Sequence, residues 1–232
     1  MVQNRDAFAF TDELLGEGVR YETAGSLMGG KKIWILAKLP TKYIIQGEQI
    51  MPYLVFSNTH DGSSAIKIAM TPIRVVCNNT LNLALNTAKR CWSINHVGDI
   101  AAKMEDAKET LFMAEDYMVE LGKSFETLSK MRLSDASVEE YIKELLPIAD
   151  NATDANVKNI TKLRNDVIRR YKYAPDLKNL DKNGYRFINA VSDFATHAEP
   201  IRRTKNYQEN LFNKTMEGNP ITDKAYRLLM TA

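Results

Sequence analysis

From Ile100 onward the apolar residues fall into step. Ile100, Met104, Ala107, Leu111, Ala114, Met118, Leu121, Phe125 and Leu128 follow one another at alternating spacings of four and three. That is an a/d repeat sustained over about four heptads, and it predicts one helix of about 30 residues, ~45 Å long. A helix of that length needs something against its seam. The partner is either another helix of this chain or the same helix of a second copy. Alanine at two seam positions allows a close approach of either.

Ahead of this repeat the chain has a different period. Lys31–Leu39 carries Ile33, Trp34, Ile35 and Leu36 and suits a buried strand, closed by Pro40. Val19–Thr23, Tyr43–Gln46 and Met51–Ser57 read as further strands, with turns at Gly29-Gly30 and Gly47-Glu48. Pro52 within its run predicts an edge position or a strand start. Asp61-Gly62 marks a turn. Ile66, Ile68 and Met70 then alternate with Lys67 and Ala69, and Pro72 resets the chain before Ile73–Cys77. Connections this short favour antiparallel pairing, because a parallel crossover needs a dozen or more residues.

Helices bracket the strands. Asp6–Leu15 reads as a short amphipathic helix stopped by Gly16 and Gly18. Leu81, Ala84, Leu85 and Ala88 share a helical face beginning after Asn79. Ser137-Val-Glu-Glu140 has the capping-box form, and its helix ends near Pro147. Asn151–Asp154 offers caps for a helix with Val157, Ile160, Leu163, Val167, Ile168 and Tyr171 inside, ended by Pro175. Gly184–Ala195 is another, and the tail from Thr222 forms a last turn. The expected fold is α+β: a small antiparallel β-sheet packed with helices, then an all-helical region with one long heptad-patterned helix. The boundary falls near residue 95, giving a β-rich part at 1–95 and a helical part at 96–232.

Composition sets limits. The chain has 232 residues, with 44% hydrophobic and 26% charged, ordinary values for a globular protein. No apolar run approaches the ~20 residues of a spanning helix, so no membrane role is expected. Met1-Val-Gln-Asn-Arg-Asp lacks the apolar centre of a signal peptide. Two cysteines, Cys77 and Cys91, suit free thiols in a reducing cytoplasm. The net charge of +2 hides an uneven distribution. Residues 103–150 hold 6 Lys/Arg against 12 Asp/Glu, whereas 155–214 hold 13 against 6. Opposed blocks either pair within the fold or leave a basic face for an anionic partner.

Several polar groups invite a chemical reading. Arg74 with Asn78, Asn79 and Thr80 has the make-up of a phosphate site at the start of a helix, or of plain helix capping. Lys158, Lys162, Arg164, Arg169, Arg170 and Lys172 form the basic face of the helix at 157–172. Tyr21, Trp34, Tyr43, Tyr53 and Phe56 lie among Lys31, Lys32, Lys38 and Lys42. Aromatics and lysines on one sheet face stack bases and hold phosphates, although packing in a core is the commoner fate of such rings. His60, Asp61, Ser63 and Ser64 cluster at the turn. A metal site needs three or four ligands, and His96 and His197 stand alone in sequence. Nothing around Cys77 has the form of a nucleophile motif, and no Gly-x-x-x-x-Gly-Lys loop is present. No cofactor and no metal are expected.

Four segments carry a resemblance: Val2-Gln-Asn-Arg-Asp-Ala-Phe-Ala-Phe10, Gly25-Ser-Leu-Met-Gly-Gly30, Thr59-His-Asp-Gly-Ser63 and Pro72-Ile-Arg-Val-Val-Cys-Asn-Asn-Thr-Leu81. Gly184-Tyr-Arg-Phe-Ile-Asn-Ala-Val191 followed by His197 adds a weaker one. Together they resemble the domain-of-unknown-function 932 family, also called the phage/plasmid-like protein family. The resemblance implies a gene carried on a mobile genetic element and supplies no reaction. Members usually carry a further N-terminal region, so it also implies a short variant or trimmed form here. The expected function is a non-enzymatic nucleic-acid-associated protein that binds or anneals single-stranded DNA. The alternatives are an interaction protein that binds a host factor such as a defence component, and an enzyme built on the His-Asp-Gly-Ser segment. Expected partners are single-stranded nucleic acid, a host protein, and a second copy through residues 100–128, giving an oligomer.

Overall fold

The computed structural model describes residues 18–59, 66–77, 80–85, 88–94, 100–200 and 204–231. The helix expected at Asp6–Leu15 lies outside them. Six strands form one antiparallel sheet: β1 Arg20–Leu27, β2 Lys32–Lys38, β3 Tyr43–Ile45, β4 Glu48–Thr59, β5 Ile66–Arg74 and β6 Cys91–Ile94. Their order is β1-β2-β4-β5-β6, with β3 also beside β4. Six α-helices follow among the described residues: α1 Ile100–Lys130, α2 Asp135–Leu145, α3 Asp154–Tyr173, α4 Gly184–His197, α5 Tyr207–Glu217 and α6 Pro220–Thr231. The architecture is α+β. No helix among the described residues is long and apolar enough to cross a membrane.

Pro52 sits in the middle of the sheet, contrary to the expected edge. β2 pairs with Tyr53–Thr59 and β3 with Glu48–Ile50, so Pro52 occupies the handover between them. Its missing N–H therefore breaks no ladder bond there. Its carbonyl accepts from Leu39 N–H at 3.0 Å. Directly opposite stands Pro72, whose carbonyl accepts from Leu81 N–H at 2.8 Å. β5 thus runs straight through Pro72 to Arg74.

The segment after Thr80 is also a correction. Leu81–Leu85 forms neither helix nor strand, and Leu83 N–H turns back to the Leu81 carbonyl at 3.0 Å. Leu81 and Leu83 are buried at a spacing of two, and Leu83 N–H donates to the buried Tyr117 hydroxyl at 3.1 Å. Ala84 N–H donates to Asp223 Oδ1 at 2.8 Å. These bonds to α1 and α6 replace the internal ladder a helix would have made.

One buried cluster joins the strands to the helices. Ile50, Leu54, Phe56, Ile68 and Met70 of the sheet share it with Tyr117, Met118, Leu121, Phe125 and Leu128 of α1 and with α4. From Ala114 onward the apolar seam of α1 is therefore covered by this same chain. α4 is buried along nearly its whole length. Gly184 opens it because a Cβ there would stand 3.0 Å from the Leu128 carbonyl oxygen. Its cap, Asn183, accepts from Arg186 N–H at 2.9 Å and donates to Ser129 O at the end of α1 at 3.0 Å. The other caps are Ser134, three residues before the expected Ser137, and Thr153. The opposed charge blocks partly pair, as in Lys182–Asp135 at 2.8 Å and Lys172–Glu139 at 3.9 Å.

Candidate nucleic-acid interface

Strand register sorts the sheet's side chains onto two faces, because neighbours along a strand point to opposite sides. Ala37, Leu54, Phe56, Ile68 and Met70 point into the core. Their neighbours form the other face. There Gly25 pairs with Trp34, Leu27 with Lys32, and Lys38 with Tyr53. Lys32, Trp34, Lys38 and Tyr53 are all half-buried. Burial and the charge of Glu22 push the Tyr53 phenol up, which keeps it a neutral donor.

α5 crosses this second face. Phe212 and Met216 pack with Leu36, Val55 and Ala69. The Phe212 ring lies 6.1 Å from Trp34, and Lys32 Nζ stands 5.5 Å from the Phe212 centroid. The C-terminal end of the helix is held by Arg90, which donates to Met70 O at 2.8 Å, Thr215 O at 2.9 Å and Met216 O at 2.7 Å. A cation on the last carbonyls also suits the helix dipole. Gly218 leaves the helix at φ 97°, with a Cβ position 3.1 Å from Asp223 Oδ2, so both its conformation and the space call for glycine.

Between α5 and the strands runs a groove of about 440 Å³, floored by Trp34, Leu36, Val55 and Thr71 and walled by Leu211 and Phe212. The volume lies in the range of ligand sites. Thr71 is buried, and its hydroxyl has no partner within the protein. The groove thus offers aromatic surface, an apolar floor, a buried hydroxyl and lysines on the same face. Such a surface can stack a planar ring and hold an anion beside it.

A family model described as a domain of unknown function (DUF932) matches residues 1–216. The chain belongs to the DUF932 family. No curated protein and no solved structure matches it. The DUF932 match takes in every groove residue named above and stops short of α6.

Other residues singled out in the DUF932 sequence lie apart from the groove or serve the fold. Arg74 is fully buried on the core face. It donates to Glu48 through Nε at 2.8 Å and Nη2 at 2.5 Å, and through Nη1 to Asp176 Oδ2 at 2.8 Å and Cys77 Sγ at 3.3 Å. Tyr185 of α4 donates to Glu48 Oε2 at 2.7 Å. Burial alone would lower the Arg74 guanidinium, but the Glu48 hydrogen bond and nearby negative charge outweigh it and push it up. Burial and Glu48 likewise push the Tyr185 phenol up. Arg74 is committed to an internal ion cluster that ties β4 and β5 to α4, with no face left for a phosphate. Counting by twos from Ile68 and Met70 already places Arg74 on the core side. Thr80 is half-buried. Its hydroxyl meets that of Thr196 at 3.1 Å, and its carbonyl accepts from Ser192 at 2.5 Å. No helix begins within Leu81–Leu85 after it.

On α3, Arg170 pairs with Asp193 at 2.7 Å and Asp166 at 3.3 Å, and Arg169 with Asp166 at 2.5 Å. Arg164 donates to Leu146 O and Lys143 O. Lys158 and Lys162 are exposed. None of the α3 cations lines the groove. His60, Asp61, Ser63, Asn78 and Asn79 lie outside the described residues. His197 Nε2 meets the Cys77 carbonyl at 3.2 Å, not its thiol. Among the described residues no three His, Cys, Asp or Glu side chains converge as metal ligands would. Phe212 and Thr71 escaped sequence reasoning. Phe212 reaches the sheet from a helix that had no strong periodic signal, and Thr71 looked like ordinary strand filler.

Proposed function

We propose that this DUF932 chain is a non-enzymatic protein of phage or plasmid origin that binds single-stranded nucleic acid across the second face of its sheet, working in the cytoplasm. The observation that carries the reading is the co-location of Lys32, Trp34, Lys38 and Tyr53 with Phe212, on the face opposite the core. Unstacked bases have the aromatic faces such a surface accepts, whereas a duplex hides them. The strongest polar cluster, around Arg74, is used internally, which favours a binding role over catalysis. The test is fluorescence anisotropy with labelled single strands and duplexes of equal length. Single strands bind more tightly, and Trp34→Ala weakens them. Equal binding of both, or none at low salt, overturns the reading.

A second reading rests on the outer side of α1. Phe112 and Val119 are 72% and 50% exposed and lie two helical turns apart. That strip suits docking of a host protein or a second copy, since from Ala114 onward the inner seam is covered in-chain. Phe112→Glu with Val119→Glu leaves the melting temperature in place and abolishes self-association in sedimentation velocity if the partner is a second copy. A sedimentation profile identical to wild type removes self-association through this strip.

A further inference from the structure

Beside the groove lies a smaller cavity of about 210 Å³. The two share Thr80, Leu211 and Thr215 as a common wall. Its lining has another character. Asn82, Thr196, Asn219 and Thr222 give it amides and hydroxyls, and Lys214 of α5 stands exposed at its side. Most of these groups are engaged. Thr80 and Thr196 bond each other, and Asn219 donates to Ala195 O and accepts from Ile221 N–H. Asn82 is only 4% exposed. Its Nδ2 donates to Thr215 O at 3.2 Å, which fixes the amide orientation. Its Oδ1 is buried with no partner in the protein.

A buried acceptor without a donor is costly, of the order of 1–3 kcal/mol, so the cavity favours an occupant that presents a hydroxyl or N–H. The phosphodiester of a nucleic-acid strand presents no such donor. A sugar hydroxyl does, and its attached phosphate would meet the Lys214 ammonium. The adjoining groove takes the planar ring. We propose that the polar cavity is the sugar–phosphate subsite of the interface, with Asn82 Oδ1 accepting from a ribose 2′-hydroxyl and Lys214 facing the phosphate, so that the protein prefers RNA to DNA. This rests on the single-strand reading above. The 2′-hydroxyl is the group by which a protein separates the two polymers.

The experiment is anisotropy with three labelled strands of equal length and the same base: oligouridylate, oligodeoxyuridylate and 2′-O-methyl oligouridylate. Wild type binds the ribo strand about fivefold more tightly than the other two, the worth of one net hydrogen bond. Asn82→Ala brings the ribo strand to the deoxy level and leaves the deoxy strand unchanged. Lys214→Ala weakens all three alike. If Asn82→Ala does not fold, the 2′-O-methyl strand decides, because it lacks the donor. Equal affinity of wild type for the three strands overturns the subsite and leaves single-strand binding standing, and it means that a water only fills the cavity. A ribo preference that survives Asn82→Ala in a folded protein also overturns it. No binding of any strand sinks the single-strand reading itself.

Discussion

The indole of Trp34 rests against Gly25, its partner across the β1–β2 ladder: a Cβ on Gly25 would stand 2.7 Å from Trp34 Cζ2 and 2.9 Å from Nε1. Glycine is thus what lets the indole lie over the edge strand and reach towards Phe212. Gly25→Ala forces the ring away, since no rotation of a methyl relieves that overlap. In a Trp92→Phe background, the emission maximum of Trp34 shifts and single-strand affinity falls severalfold. The melting temperature changes little, because β1 is an edge strand. Unchanged emission and affinity would show that the indole position is irrelevant to the site.

The Arg74 cluster makes a claim about stability, not binding. Arg74→Met leaves Glu48 and Asp176 as carboxylates only 13% and 15% exposed, stripped of their partner. Loss of one member of a buried ion pair costs about 3–5 kcal/mol. Urea unfolding of Arg74→Met shows that loss, and adding Glu48→Gln recovers part of it. The folded fraction binds nucleic acid as wild type does. A large binding defect with full stability would return Arg74 to the interface.

Asp223 gives a pH signature. Burial pushes its carboxyl up, against the opposing pull of the Ala84 N–H and Arg90. A raised carboxyl holds its proton more tightly folded than unfolded. Its contribution is fully present below the ordinary value of 3.8 and fades as pH rises through the folded value. Melting temperatures of wild type and Asp223→Asn, compared across pH, isolate it. Wild type gains on the variant as pH falls through that window. A difference that is flat, or of opposite sign, contradicts the assignment.

Much of the sheet was legible. The alternation of Ile66, Ile68 and Met70 with Lys67 and Ala69 marked β5, whereas Lys31–Leu39 read as a buried strand and its Lys32, Trp34 and Lys38 are half-buried on the second face. What alternation cannot supply is register between strands. Only pairing shows that Tyr53 stands beside Lys38 and that Pro52 falls at a handover. Leu81–Leu85 was ambiguous because Leu81, Leu83 and Leu85 fit a period of two as well as Leu81, Ala84, Leu85 and Ala88 fit a helix. The choice fell to Tyr117 and Asp223, far along the chain. Ser137 was read as a cap, yet it is the residue that Ser134 caps: Ser137 N–H donates to Ser134 Oγ at 3.0 Å. Arg74 and Asp176 lie 102 residues apart, and no local pattern joins them. Residues 100–128 read as one helix, and α1 is one helix of 31 residues. Periodicity said nothing of which protein would cover its seam.

The measurement closest to the central claim is the salt dependence of single-strand binding for wild type, Lys32→Glu with Lys38→Glu, and Lys158→Glu with Lys162→Glu. Each phosphate contact on a single strand adds about 0.7 to the slope of log affinity against log salt. The sheet-face pair lowers the slope by about 1.4 and weakens binding, while the α3 pair leaves both near wild type. A loss confined to the α3 pair would contradict the account and move the interface from the sheet to α3.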